Sequence, residues 1–153
     1  MTKEDRKNAY LYCKFRDEQF ALYDEYAKRH GMSMKTLLVL NALFYAKDGM
    51  TQTEVCQRTF QFKQTVNLIV KNLLAEAYVT VTEVPENKRN KIVRMTEAGR
   101  AYCEQVVRHI TWAEDTAMSL FSPEEQKNLI ELSRTFTKNL TMLVNEELKK
   151  KED

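Results

Sequence analysis

Between Lys63 and Met95 the spacing of apolar residues switches from a helical to an extended period, which restricts the fold more than any other feature of the chain. Over 63–76, Val66, Ile69, Val70, Leu73 and Leu74 recur at three- and four-residue intervals and are expected to face inward. Gln64, Thr65, Asn67, Lys71 and Asn72 then face outward. The next residues, YVTVTEV (78–84), alternate and are rich in β-branched side chains, so they read as a strand. PENKRN (85–90) is a polar turn and KIVRM (91–95) a second strand, which makes 78–95 a hairpin.

The segments before this pair are helical. The first helix runs from about Glu4 to Arg29, with Tyr12, Phe15, Leu22 and Tyr26 on one stripe and Gly31 ending it. Ser33 caps a second helix from Met34 to about Ala46, whose LLVLNALF is apolar on nearly every side and reads as a central buried helix. After the turn at Lys47-Asp48-Gly49, Thr51 to Glu54 (TQTE) forms a capping box that starts a short helix ending near Arg58.

Two more helices follow the hairpin. Thr96 and Glu97 open a long one with a stripe at Tyr102, Val106, Ile110, Ala113, Ala117 and Leu120. Ser122, Pro123 and Glu125 supply the N-cap, first-turn proline and capping acid of the last, whose stripe is Leu129, Leu132, Phe136, Leu140 and Leu143. The tail KKKED is expected to fray. Only three glycines and two prolines occur in 153 residues, which agrees with a mainly α chain.

Helix, short helix, turn, amphipathic helix and basic hairpin, in that order, make a winged helix-turn-helix. The charge distribution agrees with a nucleic-acid face. From Arg58 to Arg94 there are seven basic and three acidic residues, a balance of +4, against 17 basic and 19 acidic in the rest, a balance of −2. The outward residues of 63–76 would enter the major groove. Gln64 and Asn67 suit a paired contact with adenine, and Thr65 a thymine methyl. Lys63 and Lys71 would serve phosphates, Lys88 and Arg89 at the hairpin tip would reach a narrow minor groove, and Lys91 is a further DNA-binding candidate.

TQTEVCQRTFQFKQTVNLIVKNLLAEAYVTVTEVPENKRNKIVRMTEAGRAY (residues 51–102), with the motif Met95-Thr96-Glu97-Ala98-Gly99 near its end, resembles the MarR family of winged helix-turn-helix transcription regulators. The resemblance implies a mainly α fold with a two-stranded β wing and N- and C-terminal dimerisation helices. Residues 1–32 and 100–153 would form the dimerisation region and 33–99 the DNA-binding region. It also implies a homodimer, pseudo-palindromic duplex sites, and repression relieved by a small ligand or by oxidation. Two positions depart from the family pattern. Asn87 replaces the aspartate that braces the wing arginine, here Arg89, and Ala77 replaces a glycine before the first strand.

Small aromatic anions are the family's usual effectors, and Tyr12, Phe15, Arg16 and Tyr23 on the first helix are the candidate contacts, although such aromatics more often form dimer core. Two alternatives stand beside the ligand-released repressor: a redox sensor using Cys13, and a protein–protein module that has lost DNA binding. Cys13, Cys56 and Cys103, odd in number and far apart, read as reduced, packed thiols. His30 and His109 have no ligand-spaced partners, so no metal is expected. Nucleophile-elbow, phosphate-loop and HExxH motifs do not occur, so neither cofactor nor enzyme chemistry is expected. The charged start MTKEDRKN and the lack of a long apolar run predict a cytoplasmic protein without a membrane span.

Overall fold

The computed structural model describes the backbone of residues 1–149, and the side chains of all of these except 87–90 and 149. Of the expected tail KKKED (149–153), Lys149 still belongs to the last helix, and 150–153 lie outside the described residues. The elements in order are α1 (Lys3–Arg29), α2 (Met34–Tyr45), β1 (Met50–Thr51), α3 (Gln52–Thr59), α4 (Lys63–Ala75), β2 (Val79–Val84), β3 (Asn87–Met95), α5 (Glu97–Ser119) and α6 (Pro123–Lys149). The chain divides into two compact units, Met1–His109 and Ile110–Asp153.

In the first unit α2 is the central helix. Leu37, Val39, Leu40, Ala42, Leu43 and Phe44 are all buried, as its all-round apolar sequence requires. Ala27 of α1, Met32, Val55 of α3, Val66, Ile69, Val70 and Leu73 of α4, Val79 and Val93 of the sheet, and Cys103, Val106 and Val107 of α5 complete the core. Each fully buried side chain of this kind contributes roughly 1.5–3 kcal/mol. The guanidinium of Arg100 lies over the Phe44 ring at 4.5 Å and donates to the Phe44 carbonyl at 3.1 Å, tying α5 to the end of α2. Tyr26 of α1 donates from its hydroxyl to the Val106 carbonyl at 3.1 Å. It therefore does more than fill the apolar stripe assigned to it.

The expected hairpin is present, and a third strand joins it. The short β1 pairs with β3, giving the antiparallel order β1-β3-β2. The turn at Lys47-Asp48-Gly49 delivers the chain to β1 because Gly49 takes φ 81°, and a Cβ there would strike Arg94 and the Val93 carbonyl. The β2–β3 turn is also shorter than the six polar residues suggest. Only Pro85 and Glu86 form it, and Asn87 already belongs to β3.

In α5 the buried positions are Gly99, Cys103, Val106 and Val107. Of the expected stripe, Val106 is thus buried, but Tyr102, Ala117 and Leu120 are exposed. In the second unit α6 opens as its sequence requires: Glu125 N–H donates to Ser122 Oγ at 3.3 Å, and Ser122 N–H to Glu125 Oε2 at 2.8 Å. Leu129, Leu132, Leu140 and Leu143 lie exposed along α6.

Candidate nucleic-acid interface

The site is built on α3 and α4. Thr51 closes β1 and caps α3 at once: its N–H donates to Glu54 Oε2 at 2.7 Å, and its Oγ1 accepts from Glu54 N–H at 3.2 Å. The turn into α4 comes through Phe60, which takes a left-handed φ of 52° at the C-terminus of α3. Gln61 then donates from Nε2 to the Lys35 carbonyl at 3.1 Å, fixing the turn against α2. Phe62 is the N-cap of α4 and makes no side-chain cap bond.

The inward face of α4 holds Val66, Ile69, Val70 and Leu73. Leu74, expected there too, is 46% exposed and belongs to the other side, one step beyond the width of the buried stripe. Lys63, Gln64, Asn67, Lys71 and Asn72 are exposed as expected, while Thr65 is half-buried at the margin. Leu68 is the residue sequence reasoning missed. It is 61% exposed and lies between Gln64 and Lys71 on the outward face. Its position one turn after Gln64 was the available signal, obscured because leucine is counted as core by default.

The sheet lies beside this helix in the chain, and Lys91 is exposed on β3. Lys88 and Arg89 belong to the β3 strand rather than to a loop tip, but their side chains, with that of Asn87, lie outside the described residues. The strand pair is regular from Val79↔Met95 to Glu83↔Lys91, then shifts register before Val84↔Asn87. Arg94 donates to Thr82 Oγ1 at 2.7 Å across the strands.

The Thr96-Glu97-Ala98-Gly99 motif fastens the sheet to α5. Thr96 N–H donates to the Tyr78 carbonyl at 3.0 Å, its hydroxyl donates to the Ala77 carbonyl at 2.8 Å, and Gly99 N–H donates to that hydroxyl at 3.0 Å. Gly99 is required because a Cβ would drive into the Tyr78 carbonyl oxygen. Ala77 itself takes φ 57°. The turn before β2 is thus formed with an alanine in the left-handed region, at the position where the family pattern has glycine.

Residues 30–90 match the family model described as the MarR family. These residues are a MarR-family winged helix-turn-helix. The MarR fold extends over nearly the whole chain. A MarR family regulator from Neisseria meningitidis matches with a TM-score of 0.75 at 17% identity, covering 96% of this chain and 99% of that one. The MepR–DNA complex of Staphylococcus aureus matches at 0.66 with 21% identity, covering 88% and 96%. The PcaV transcriptional regulator of Streptomyces coelicolor, in complex with its natural ligand, matches at 0.67 with 18% identity, covering 90% and 96%. No curated protein sequence matches the chain.

Tyr12, Phe15, Arg16 and Tyr23, the candidate ligand contacts, lie on α1, where the i, i+4 and i+11 spacing places Tyr12, Arg16 and Tyr23 along one face. Tyr12 and Phe15 are exposed and Tyr23 is half-buried. Arg16 donates to Asp17 Oδ1 from Nε at 2.9 Å and from Nη2 at 2.8 Å, and this carboxylate raises the guanidinium pKa. Cys13 is half-buried on the same helix. Among the described residues no three His, Cys, Asp or Glu side chains are grouped to hold a metal, and no helix is long and apolar enough to cross a membrane.

Proposed function

We propose that this chain is a DNA-binding transcription regulator acting as a homodimer on pseudo-palindromic duplex sites, a repressor released by a small ligand. The observation that carries the reading is the outward face of α4. Lys63, Gln64, Asn67 and Lys71 are exposed together on a helix whose other face is locked into the core, so the fold holds two amides and two cations rigidly outward. Every charged residue from 55 to 75 is basic.

In this reading residues 33–99 meet DNA and the helices of 1–32 and 100–153 carry the dimer contact. Gln64 and Asn67 pair with adenine edges, and Thr65 at the margin touches a thymine methyl. Lys63, Lys71 and Lys91 neutralise phosphates, and Lys88 and Arg89 of β3 enter the minor groove. The likeness to the MepR structure in complex with DNA supports DNA as a partner, and the likeness to the PcaV structure in complex with its natural ligand supports a ligand of some kind. An aromatic anion on Tyr12, Phe15 and Tyr23 would take Arg16 away from Asp17. Chemistry on a bound substrate has no place in this function.

Selection of duplexes from a random-sequence pool, followed by binding across a salt series, tests the proposal. Lys63→Ala and Lys71→Ala each remove two phosphate contacts from a homodimer, one per half-site, and should each flatten the slope of log affinity against log salt by about 1.8 and weaken all sequences alike. Gln64→Ala and Asn67→Ala should cost roughly 1–3 kcal/mol at particular base pairs. Retention of no duplex at low salt would refute the reading.

A further inference from the structure

Phe60 and Phe62 stand in water at the turn between α3 and α4. Phe60 is 96% exposed and Phe62 is 86% exposed, although both flank Gln61, which is turned against α2. Each also breaks a local rule of folding. Phe60 holds a left-handed backbone where glycine is favoured, and Phe62 occupies an N-cap where Ser, Thr, Asp or Asn would bond the helix N–H groups. Departures of this kind concentrate at positions kept for binding.

We propose that Phe60 and Phe62 are base-reading residues, an apolar pair that takes the 5-methyl groups of thymine in the major groove where α4 enters it. This rests on the reading of α4 as a DNA-recognition helix. Charge selects the occupant. Arg58 and Lys63, the charged residues flanking the pair in sequence, are both basic and exposed. An apolar pair set between exposed cations fits a surface that is polyanionic yet carries methyl groups. The major groove of a duplex is such a surface, with thymine methyls bordered by phosphates. The N-terminal residues of a recognition helix are those that approach base edges.

The test uses duplexes selected by the wild-type protein, with single thymines replaced by uracil, which lacks only the methyl group. At one or more positions the wild type should lose about three- to fivefold in affinity, the worth of one buried methyl. Phe60→Gly and Phe62→Ser should bind the thymine and uracil duplexes alike at those positions. Both variants should also unfold at higher urea, since one relieves the backbone and the other adds a cap, so weaker binding cannot come from misfolding. If every uracil penalty of the wild type persists unchanged in both variants, the methyls belong to Thr65 or Leu68 and the proposal is overturned. A wild type indifferent to uracil would overturn it as well. A wild type that enriches no duplex removes the DNA-recognition reading itself, and this proposal with it.

Discussion

Ala77 and Gly99 exchange the roles their residue types suggest. Ala77 takes the left-handed backbone normally given to glycine, while Gly99 lies in an ordinary helical turn and is needed for space. The left-handed region costs an alanine about 1–2 kcal/mol, part of which glycine returns through its freer unfolded chain. Ala77→Gly should therefore stabilise the protein by about 1 kcal/mol. Gly99→Ala should destabilise it by roughly 2–3 kcal/mol, because the added methyl meets a backbone carbonyl that cannot rotate away. Urea unfolding of the two variants checks both signs, and a destabilised Ala77→Gly would refute the account of this turn. Cys103 gives a third residue-scale expectation. Burial pushes its thiol pKa up to about 11, so the native state keeps a proton that the unfolded chain releases nearer 9. Stability from this group is complete below the lower value and falls as pH rises between the two. The part of an alkaline stability slope that disappears in Cys103→Ala measures it.

At the scale of elements, α3 is the most economical: eight residues, one buried side chain, and a capping box. Thr51→Ala removes both the cap acceptor and its partner contact to Glu54, and should cost about 1–2 kcal/mol. Hydrogen exchange should place the loss in α3 and β1, because Thr51 also pairs with Ile92 on β3. That box was legible in sequence because it is a local pattern of four residues, and so were the two faces of α4 and the caps of α2 and α6. What was not legible depends on contacts distant in the chain. β1 is only two residues long, too short to show alternation, and exists because β3 offers it an edge. Asn87 to Asn90 read as turn from composition, yet cross-strand pairing extends β3 back to Asn87. Exposure of Leu68, Phe60 and Phe62 could not be read at all, since hydrophobicity argues for burial and only the assembled fold shows which side chains found no room.

At the scale of the whole molecule, the two end helices leave large apolar side chains in water. Phe15, Phe20 and Leu22 of α1 and Leu129, Leu132, Leu140 and Leu143 of α6 are all exposed. A second copy is the partner proposed for them, and it carries a prediction. Leu132→Glu changes a residue 71% exposed in the protomer, so the protomer's own stability should move by less than about 0.5 kcal/mol. If the leucine is covered in a dimer, the change should raise the dimer dissociation constant at least about tenfold. Sedimentation across a concentration series decides it. An unchanged dimer would move the contact away from this part of α6.

Both of these helices also begin on a carboxylate. Asp5 Oδ2 accepts from Thr2 N–H at 2.6 Å at the head of α1, and Glu125 accepts from Ser122 N–H at the head of α6. Those backbone bonds hold both acids below their ordinary pKa values. Their stabilising effect is complete above the usual carboxylate range and is lost as pH falls through the lowered values. Acid therefore acts as a common release for the two ends of the chain, while α2, capped by the neutral hydroxyl of Ser33, is indifferent to it. Acidification below the usual carboxylate range should loosen the first turns of α1 and α6 together, visible as faster amide exchange there before α2 responds. If those helices carry the subunit contact, the protomers should begin to part in acid before the winged helix melts.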